Sequence, residues 1–459
     1  MSIRSPLWIL LALAIFPAAS ATAAPPNVVL IVADDQHWRD YAFMGHPHLR
    51  TPNLDRLARE SLLYRRGYVP SSLCCPSLAS LITGRFPHEH RVVGNDPPES
   101  AAARNTPPGE RLFAAGREAM NRHLEAWPTL PGLLAAAGYR CLQTGKWWQG
   151  DFSRGGFTEG MTRGERHGDD GLRIGRETMA PLEEFITDCK AQQTPFFAWY
   201  APMLPHDPHD PPADLVDHYA ALAPSIHHAR YWGNIERFDR TVGRLLDLLD
   251  AEGLAESTLV IFVTDNGWIQ SADHPRCAPR SKRSPYDGGL RTPIMLRQPG
   301  RIAPGESDVP VSSLDIFPTV LTSCSALLPP GLAGIDLLDP AAVAARRQVF
   351  GECYTHTLVD LNDPASSLLW RWTVRGRWKL VVPERLAAGD PRLLSEGEAL
   401  DADSRAWLGS GFARLFDVVA DSDENGDVAA EHPDVVADLL DSLDAWWTPG
   451  RHPTGASTP

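Results

Sequence analysis

The chain has 459 residues, 43% of them hydrophobic, which is enough to build a large α/β domain together with a smaller one. Its formal net charge of −14 argues against a nucleic-acid partner, because phosphate backbones are bound by basic surfaces. An anionic small substrate is compatible with this charge, since a metal ion and a few lysines can reverse the local field inside a cleft.

The N-terminus has the pattern of an export signal. Arg4 precedes the apolar run "LWILLALAIF", and the small residues "AASATAA" then offer a cleavage site after Ala23. The run is short for a membrane span, so an uncleaved anchor is the weaker alternative, and no later stretch is long enough to cross a bilayer. We therefore expect residues 1–24 to be a signal peptide and the mature protein to be periplasmic or secreted.

Apolar, β-branched runs alternate with helical patterns, which predicts an α/β fold with a mostly parallel sheet sandwiched by helices. The first run, "NVVLIVADD", predicts a strand that ends at Asp34 and Asp35. Residues 54–63 have helical spacing. In "PTLPGLLAAAGYRCLQTGKWW", a helix stopped by Gly138 leads into a short strand that ends before Lys146.

Two further predicted strands also end in polar residues. The strand in "PFFAWYAPMLPHDPHDPP" breaks on prolines at His206. A long amphipathic helix, "YWGNIERFDRTVGRLLDLLDAEGL", then leads to the strand "TLVIFVTDNG", which ends in Asp265 and Asn266. In open α/β sheets the ligand crevice lies beyond the carboxyl ends of the strands, so all these polar groups should gather at one edge.

The carboxylates suggest a metal site. A single Asp after a strand is usually a turn former or a helix cap. Here "DD" and "DN" place the carboxylates of Asp34, Asp35 and Asp265 and the amide of Asn266 within reach of one point, which is costly unless a cation lies between them. An all-oxygen ligand set favours a hard ion, calcium before magnesium.

Lys146, His206 and Lys282 would by default be surface residues. His206 lies in the proline-braced loop "HDPHD", and Lys282 lies in "SKRSPYDGGLRTP". In the second segment two glycines and a following strand indicate a close backbone approach.

Two adjacent cysteines occur in "SSLCCPSLASLITGR". Pro76 suits the first turn of a helix, and Gly84 ends it. Cys74 therefore lies at the helix start, where free N–H groups and the helix dipole favour an anion, as a nucleophile requires. A Cys74–Cys75 disulfide would be strained, and a thiolate metal site would need further ligands nearby. Seven cysteines in so long a chain do not suggest a disulfide framework.

The part from about Gln348 onward predicts a second, α+β unit. "WRWTVRGRWKLVVP" reads as a hairpin, and the last segment reads as a strand and a turn that lead into a closing helix. That turn, "DSDENGD", resembles a calcium loop in composition but lacks the full ligand spacing. We expect a solvated turn there.

Six segments resemble the type I sulfatases of the alkaline phosphatase-like superfamily in their order and approximate spacing. They are "VLIVADDQ", "CCPSLASLITGRFPH", "TGKWW", "YAPMLPHDP", "FVTDNG" and "SKRSPYDGGLRTPI". The resemblance covers residues 27–325. It implies an alkaline phosphatase-like catalytic domain over residues 25–345 and a smaller C-terminal domain over residues 346–459.

The resemblance also implies a cofactor set and partners. Cys74 would be oxidised to formylglycine by a maturation enzyme. One calcium ion would be held by Asp34, Asp35, Cys74, Asp265 and Asn266. Lys146 and Lys282 would bind the sulfate oxygens of a sulfated small molecule or carbohydrate, and His206 would assist the departing alcohol.

Two positions depart from the family pattern. The arginine of the C-x-P-S-R motif is Leu78 here, and the histidine of "GKWH" is Trp148, whose ring cannot act as a base. His37, His88 or His90 could supply the lost function, although each could equally be an ordinary loop histidine.

Three functional hypotheses follow. The leading one is a calcium-dependent sulfatase. The second is a phosphoester or phosphonate hydrolase of the same superfamily that binds zinc through His206, His209 and Asp265. The third is a non-catalytic protein that binds sulfated glycans, because the residues at 78 and 148 remove two working groups.

Overall fold

The computed structural model describes residues 25–98, 105–396 and 400–450. The predicted signal peptide, residues 1–24, lies outside the described residues. Within those ranges no helix has the length and apolar character needed to cross a membrane.

A large sheet of nine strands forms the centre of the described structure. Its strands are β1 (Asn27–Ala33), β2 (Leu62–Tyr68), β3 (Arg140–Gly145), β4 (Glu159–Gly160), β5 (Phe196–Ala201), β6 (Thr258–Thr264), β7 (Arg291–Arg297), β8 (Gly305–Ser307) and β9 (Val311–Ser312). Their order is β4-β3-β5-β1-β6-β7-β2-β8, with β9 paired to β2. β7 runs antiparallel to both β6 and β2, and the other pairings are parallel. The predicted mostly parallel sheet is confirmed.

Helices cover both faces of this sheet. The α-helices of the described residues are α1 (Pro52–Arg59), α2 (Cys74–Thr83), α3 (Pro87–His90), α4 (Pro107–Glu125), α5 (Leu130–Ala136), α6 (Ala180–Ala191), α7 (Ala213–Ala220), α8 (Ile226–Ala251), α9 (Asp287–Leu290), α10 (Ile316–Ser323), α11 (Pro340–Ala345), α12 (Pro391–Glu396), α13 (Ala402–Ser410) and α14 (Pro433–Trp446). Short 3-10 helices span Ala42–Met44, Phe152–Gly155, Arg166–Arg173, Ser313–Asp315 and Pro364–Ser367.

Strand β1 shows how the two faces differ. Successive side chains of a strand point to opposite faces. Leu30 belongs to the core that contains Leu81 of α2, whereas Ile31 belongs to the core that contains Phe238 of α8. A strand buried on both sides needs a continuous apolar run, which explains the unbroken "VVLIVA" sequence.

One sequence prediction was wrong in its boundary. The helix predicted over residues 54–63 starts earlier, at Pro52, and ends at Arg59. Leu62 and Leu63 instead begin β2 and pair with Leu296 and Met295 of β7. A pair of apolar residues fits either a helical turn or a strand, so pairing with β7 determines the conformation of residues 62 and 63.

A second, antiparallel sheet lies in the C-terminal part of the chain. Its strands, in spatial order, are β10 (Val349–Tyr354), β11 (Leu368–Arg375), β12 (Trp378–Pro383) and β13 (Arg414–Asp417). The predicted hairpin is β11–β12, in which Trp372 pairs with Val381. The predicted closing helix is α14, whose Leu439 packs against Leu380 and Leu415.

The turn "DSDENGD" corrects another expectation, because its central residue is not solvated. Glu424 is 1% exposed and lies 2.8 Å from the Nζ atom of Lys379. The same ammonium lies 2.8 Å from Asp287, on the segment that precedes β7. The backbone N–H of Asp287 also donates to Glu424. This buried charge cluster connects the small sheet to the large one.

Removal of the central cation should destabilise the protein. Lys379→Met leaves Glu424 buried without this cation and leaves Asp287 with the more distant Arg291, at 3.8 Å, so we expect a loss of about 3–5 kcal/mol at pH 8. The loss should be smaller at pH 5, where Glu424 is protonated, because burial raises its pKa to about 7. Urea unfolding measures both. The exposed pair of Arg122 and Glu118 supplies the control, since Arg122→Met should cost less than about 1 kcal/mol.

Candidate active site

Four neighbouring parallel strands end at one edge of the large sheet. In spatial order they are β3, β5, β1 and β6. Backbone hydrogen bonds continue past the strand ends, from Lys146 N to Ala201 O (2.7 Å), from Asp34 N to Leu204 O (2.9 Å) and from Asp265 N to Ala33 O (2.9 Å). The polar residues that follow these strands therefore meet, as the sequence predicts.

Two lysines lie directly on the carboxylates. Lys146 Nζ is 2.5 Å from Asp34 Oδ1 and 3.5 Å from Asp265 Oδ2. Lys282, from the loop between β6 and β7, places Nζ 2.7 Å from Asp35 Oδ1. Their side chains are only 1% and 9% exposed, so neither is a surface lysine. They balance carboxylates that burial would otherwise leave unpaired.

Asp35 contacts several of the polar residues that follow the strand ends. Its Oδ1 accepts from Asn266 Nδ2 (2.6 Å), and its backbone N–H donates to Asp265 Oδ1 (3.1 Å). His206 Nε2 lies 3.4 Å from Asp35 Oδ2. On the other side of that ring, Nδ1 lies 2.7 Å from Asp207 Oδ1, so the imidazole is held between two carboxylates.

The electrostatics follow from this packing. Burial would raise the pKa of Asp35, but Lys282, His206 and Lys146 together hold it below its ordinary value. Burial, followed by the neighbouring charge of Asp34, raises the pKa of Asp265 to about 7. Burial opposes the charged form of His206, yet Asp34 and Asp35 raise its pKa, which favours the imidazolium.

The cluster offers a converging set of metal ligands. Asp34, Asp35, Cys74 and His206 each present a ligand atom, and these atoms all lie within 4.8 Å of one another. Asp34 Oδ2 and Asn266 Oδ1 are buried and have no hydrogen-bond partner among the described residues. Unsatisfied oxygens of this kind fit a hard cation such as calcium.

Among the described residues, the ligands that the second hypothesis assigns to zinc do not form a converging group. His209 is absent from the converging group, and its ring packs 5.2 Å from Tyr231 and 6.0 Å from Trp268. Burial lowers the pKa of His209 to about 4. This histidine therefore belongs to an aromatic cluster beside the site.

Cys74 begins α2, as predicted, and Gly84 ends the helix in a left-handed conformation. The next N–H of the helix, that of Cys75, donates to Asn95 Oδ1 at 2.9 Å. The described residues include all seven cysteines of the chain, and none of them forms a disulfide, so Cys74 and Cys75 are not joined. Burial raises the pKa of Cys74 to about 12, although Lys146 and Lys282 counteract the rise.

The two departures from the family pattern are both buried. Leu78 lies one turn after Cys74, is 1% exposed and belongs to the same hydrophobic core. Trp148 is 2% exposed, and the guanidinium groups of Arg117 and Arg166 lie 5.3 and 5.0 Å from its ring centroid.

The three histidines predicted to replace the missing one have other surroundings. His88 contacts Glu352 at 2.7 Å, His37 lies 4.0 Å from Asp40, and His90 is fully buried. None is among the converging ligands or in recorded contact with them. Their proposed role is therefore not supported by their position: each is held by partners outside the cluster.

A different histidine, which the sequence analysis missed, does reach the site. The ring centroid of His167 is 4.4 Å from that of Trp148 and 6.0 Å from that of His206. Its segment, "RGERHGDD", has no apolar periodicity and no strand end, so no sequence signal distinguishes it from an ordinary polar loop.

The loop that carries His167 is held in an uncommon conformation. His167 has φ of 71°, and its carbonyl accepts from Trp147 N at 3.1 Å. Gly168 has φ of 124°, and a Cβ atom there would lie 2.6 Å from the carbonyl oxygen of Gly145. The carboxylate of Asp169 accepts from the backbone N–H groups of residues 163, 164 and 165. These contacts fix the segment against the end of β3.

Comparison with known proteins identifies a family to which the chain is similar. The family model described as "Sulfatase" matches residues 26–324. Human arylsulfatase A is 31% identical over 72% of this chain and 70% of its own length. Mouse N-acetylgalactosamine-6-sulfatase is 31% identical over 77% of this chain and 74% of its own length. The rat N-acetylgalactosamine-6-sulfatase is matched over 66% of its length.

The fold is also that of a protein solved in complex with its substrate, D-glucosamine-2-N,6-O-disulfate. The TM-score is 0.67 at 17% identity, over 92% of this chain and 97% of that chain. At this identity the likeness concerns the fold alone.

The close packing of Gly168 against Gly145 can be tested by comparing its alanine variant with that of another glycine in the same segment. Gly164 has a similar φ of 121°, but a Cβ atom there meets nothing nearer than 3.4 Å. Both alanine variants strain the backbone, by about 1–2 kcal/mol. Gly168→Ala should lose about 1–3 kcal/mol more than Gly164→Ala in urea unfolding, because its new methyl group overlaps Gly145 O. Equal losses would contradict the close packing of this loop on β3.

Proposed function

The chain belongs to the sulfatase family, and on that premise we propose that it hydrolyses a sulfate ester with an oxidised Cys74 as nucleophile and a calcium ion as cofactor. The observation that carries the proposal is the convergence of ligand atoms from Asp34, Asp35, Cys74 and His206 within 4.8 Å of one another. A nucleophile and a group of carboxylates at one point suit a reaction in which a metal neutralises the anionic group under attack.

The residues present fit a calcium ion. We propose that Asp34, Asp35, Asp265 and Asn266 hold it, together with the oxidised side chain of Cys74. Support comes from the two buried oxygens without partners, Asp34 Oδ2 and Asn266 Oδ1, because a desolvated oxygen is costly unless it binds something. When bound, calcium supplies positive charge that polarises an oxygen of the sulfate group.

Oxidation of Cys74 would replace a weak nucleophile. Burial raises the pKa of Cys74 to about 12, so at neutral pH the group would be a protonated thiol and a poor nucleophile. The proposed formylglycine, as a hydrated aldehyde, supplies two hydroxyls on one carbon, one to attack sulfur and one to expel sulfate. The position at the start of α2 favours negative charge there.

The cationic side chains have separate tasks in this proposal. Lys146 and Lys282, both buried and charged, bind the sulfate oxygens and stabilise the charge that develops on them. His206 protonates the departing alcohol. Asp207 contacts Nδ1 of this ring. The other nitrogen, Nε2, lies 3.4 Å from Asp35 and is therefore the one on the side of the site carboxylates.

The substrate class is proposed from the relatives. Human arylsulfatase A, mouse N-acetylgalactosamine-6-sulfatase and the protein solved with a disulfated glucosamine support an aryl sulfate or a sulfated carbohydrate. We further propose a maturation enzyme that oxidises Cys74, export by the residue 1–24 signal to the periplasm or medium, and a division into a catalytic domain (25–345) and a small domain (346–459).

Mass spectrometry of the Cys74 peptide tests the proposal most directly. In protein from its native host, residue 74 should lack an alkylatable thiol and should react with a hydrazine probe, while Cys75 still alkylates. Cys74→Ser should lose turnover of an aryl sulfate, because serine has no second hydroxyl with which to expel sulfate. Cys75→Ser is the control and should retain the modification. A free thiol at residue 74, with full sulfate binding by Cys74→Ser, would instead favour a non-catalytic glycan-binding protein.

Calcium binding should depend on the carboxylate cluster. Asp34→Ala should lose the bound ion and lower kcat/KM for an aryl sulfate by at least about 100-fold, since a Lewis acid contributes several kcal/mol. Metal content measured by mass spectrometry and turnover report the two effects. Asp210→Asn, on the His206 loop but paired with Arg176, is the control and should keep both. Calcium retained by Asp34→Ala at full occupancy argues against this ligand assignment.

A further inference from the structure

Three side chains form a hydrogen-bonded chain that leads into the site. Arg166 donates from Nε to Asp96 Oδ1 (3.1 Å) and from Nη2 to Asp96 Oδ2 (3.3 Å). Its remaining terminal nitrogen, Nη1, lies 2.9 Å from His167 Nε2. Asp96 is 2% exposed, and the Arg166 side chain is 39% exposed. A carboxylate thus orients a guanidinium, and the guanidinium orients an imidazole.

This contact determines the tautomer of His167. A guanidinium has only donors, so Arg166 Nη1 donates and His167 Nε2 accepts. The proton of the neutral ring must then be on Nδ1. Nδ1 makes no recorded hydrogen bond with any described residue, and the N–H is therefore free to bind a ligand.

The surroundings keep the ring neutral. The charged groups that face it are Lys146, Arg166, His206 and Lys282, and all of them oppose a further positive charge. Burial, followed by the charge of Lys146, lowers the pKa of His167 to about 2. A proton placed on Nε2 would also point at the N–H group of Arg166. These surroundings favour the neutral imidazole, and the contact with Arg166 makes Nδ1–H its donor.

Packing contacts also fix the position of the His167 ring. Trp148 meets it edge to face at 4.4 Å, and Arg166 lies over the Trp148 ring at 5.0 Å. The next residue, Gly168, packs against the carbonyl oxygen of Gly145, which ends β3 and directly precedes Lys146. The ring lies beside that of His206, with 6.0 Å between the two centroids, and it is close enough to Lys146 and Lys282 for their charges to act on it.

Resting on the proposed sulfate-ester hydrolysis, we propose that His167 is a further catalytic residue, which donates its Nδ1–H to a sulfate oxygen. Arg166 and Asp96 act as positioning residues that hold this tautomer. A neutral donor adds stabilisation to the developing charge without repelling Lys146 or Lys282, as a third cation would. Trp148 thereby acquires a role, because its ring supports an imidazole that comes from another segment of the chain.

The first arm of the experiment measures turnover of an aryl sulfate by the mature, calcium-loaded enzyme. His167→Phe keeps a ring but removes the donor, and kcat/KM should fall by about 100-fold or more, as when one oxyanion donor is lost. His167→Gln keeps an N–H and should recover at least about tenfold of this loss. Arg173→Met is the matched control, because Arg173 lies in the same segment and its recorded salt bridge among the described residues is to Glu177. It should leave kcat/KM unchanged.

The second arm does not depend on turnover. In 15N spectra of histidine-labelled protein, with His167→Gln as the assignment reference, the His167 signals should report the Nδ1–H tautomer and should not titrate between pH 5.5 and 8.5. Inorganic sulfate should shift the Nδ1 signal, and Arg166→Met should allow the ring to adopt the Nε2–H tautomer. His167→Phe should bind inorganic sulfate about tenfold more weakly than the wild type.

The two arms separate the inference from the proposed function. If the wild-type protein fails to hydrolyse sulfate esters but shows the sulfate-dependent Nδ1 shift, the proposed hydrolysis is contradicted. The proposed contact between His167 and sulfate is then still supported. If folded His167→Phe turns over the ester and binds sulfate within about threefold of the wild type, the proposed role of His167 is contradicted. The proposed hydrolysis is not affected by that result. An Nε2–H tautomer in the wild type would also contradict the proposed role of His167.

Discussion

The burial of three carboxylates at one edge of the sheet is the constraint on which the site depends. Asp34, Asp35 and Asp265 are each no more than 2% exposed, and like charges in such a place repel strongly. Lys146 and Lys282 can approach them only because β3 and the loop after β6 end at the same edge. The strand order β3-β5-β1-β6 thus brings cationic side chains to carboxylates that would be costly to bury unpaired.

The site concentrates cationic groups within an acidic protein. The chain carries a formal net charge of −14, yet the cleft combines two buried lysines with His206, whose pKa is raised by Asp34 and Asp35. Charges inside a low-dielectric cleft act at short range and are less screened than those on the surface. An anionic ester can therefore bind within an acidic protein, provided that a cation offsets the carboxylates.

The small sheet contributes to the site without supplying any of its proposed groups. The segment that carries Lys282 is held on one side by Arg280, which donates to the backbone carbonyls of Asp423 and Glu424. A few residues further on, Asp287 is held by Lys379 and Glu424. Contacts from the C-terminal part of the chain therefore hold the segment on both sides of Lys282.

The sequence by itself determined the groups that follow regular elements. Asp34, Lys146, His206 and Asp265 could be placed together because parallel strands must end at one edge, and Cys74 could be placed at a helix start because Pro76 and Gly84 are local signals. Only the tertiary structure brought His167 to the site, buried Glu424 and turned residues 62–63 into a strand. Those outcomes depend on partners distant in sequence, and local periodicity contains no information about them.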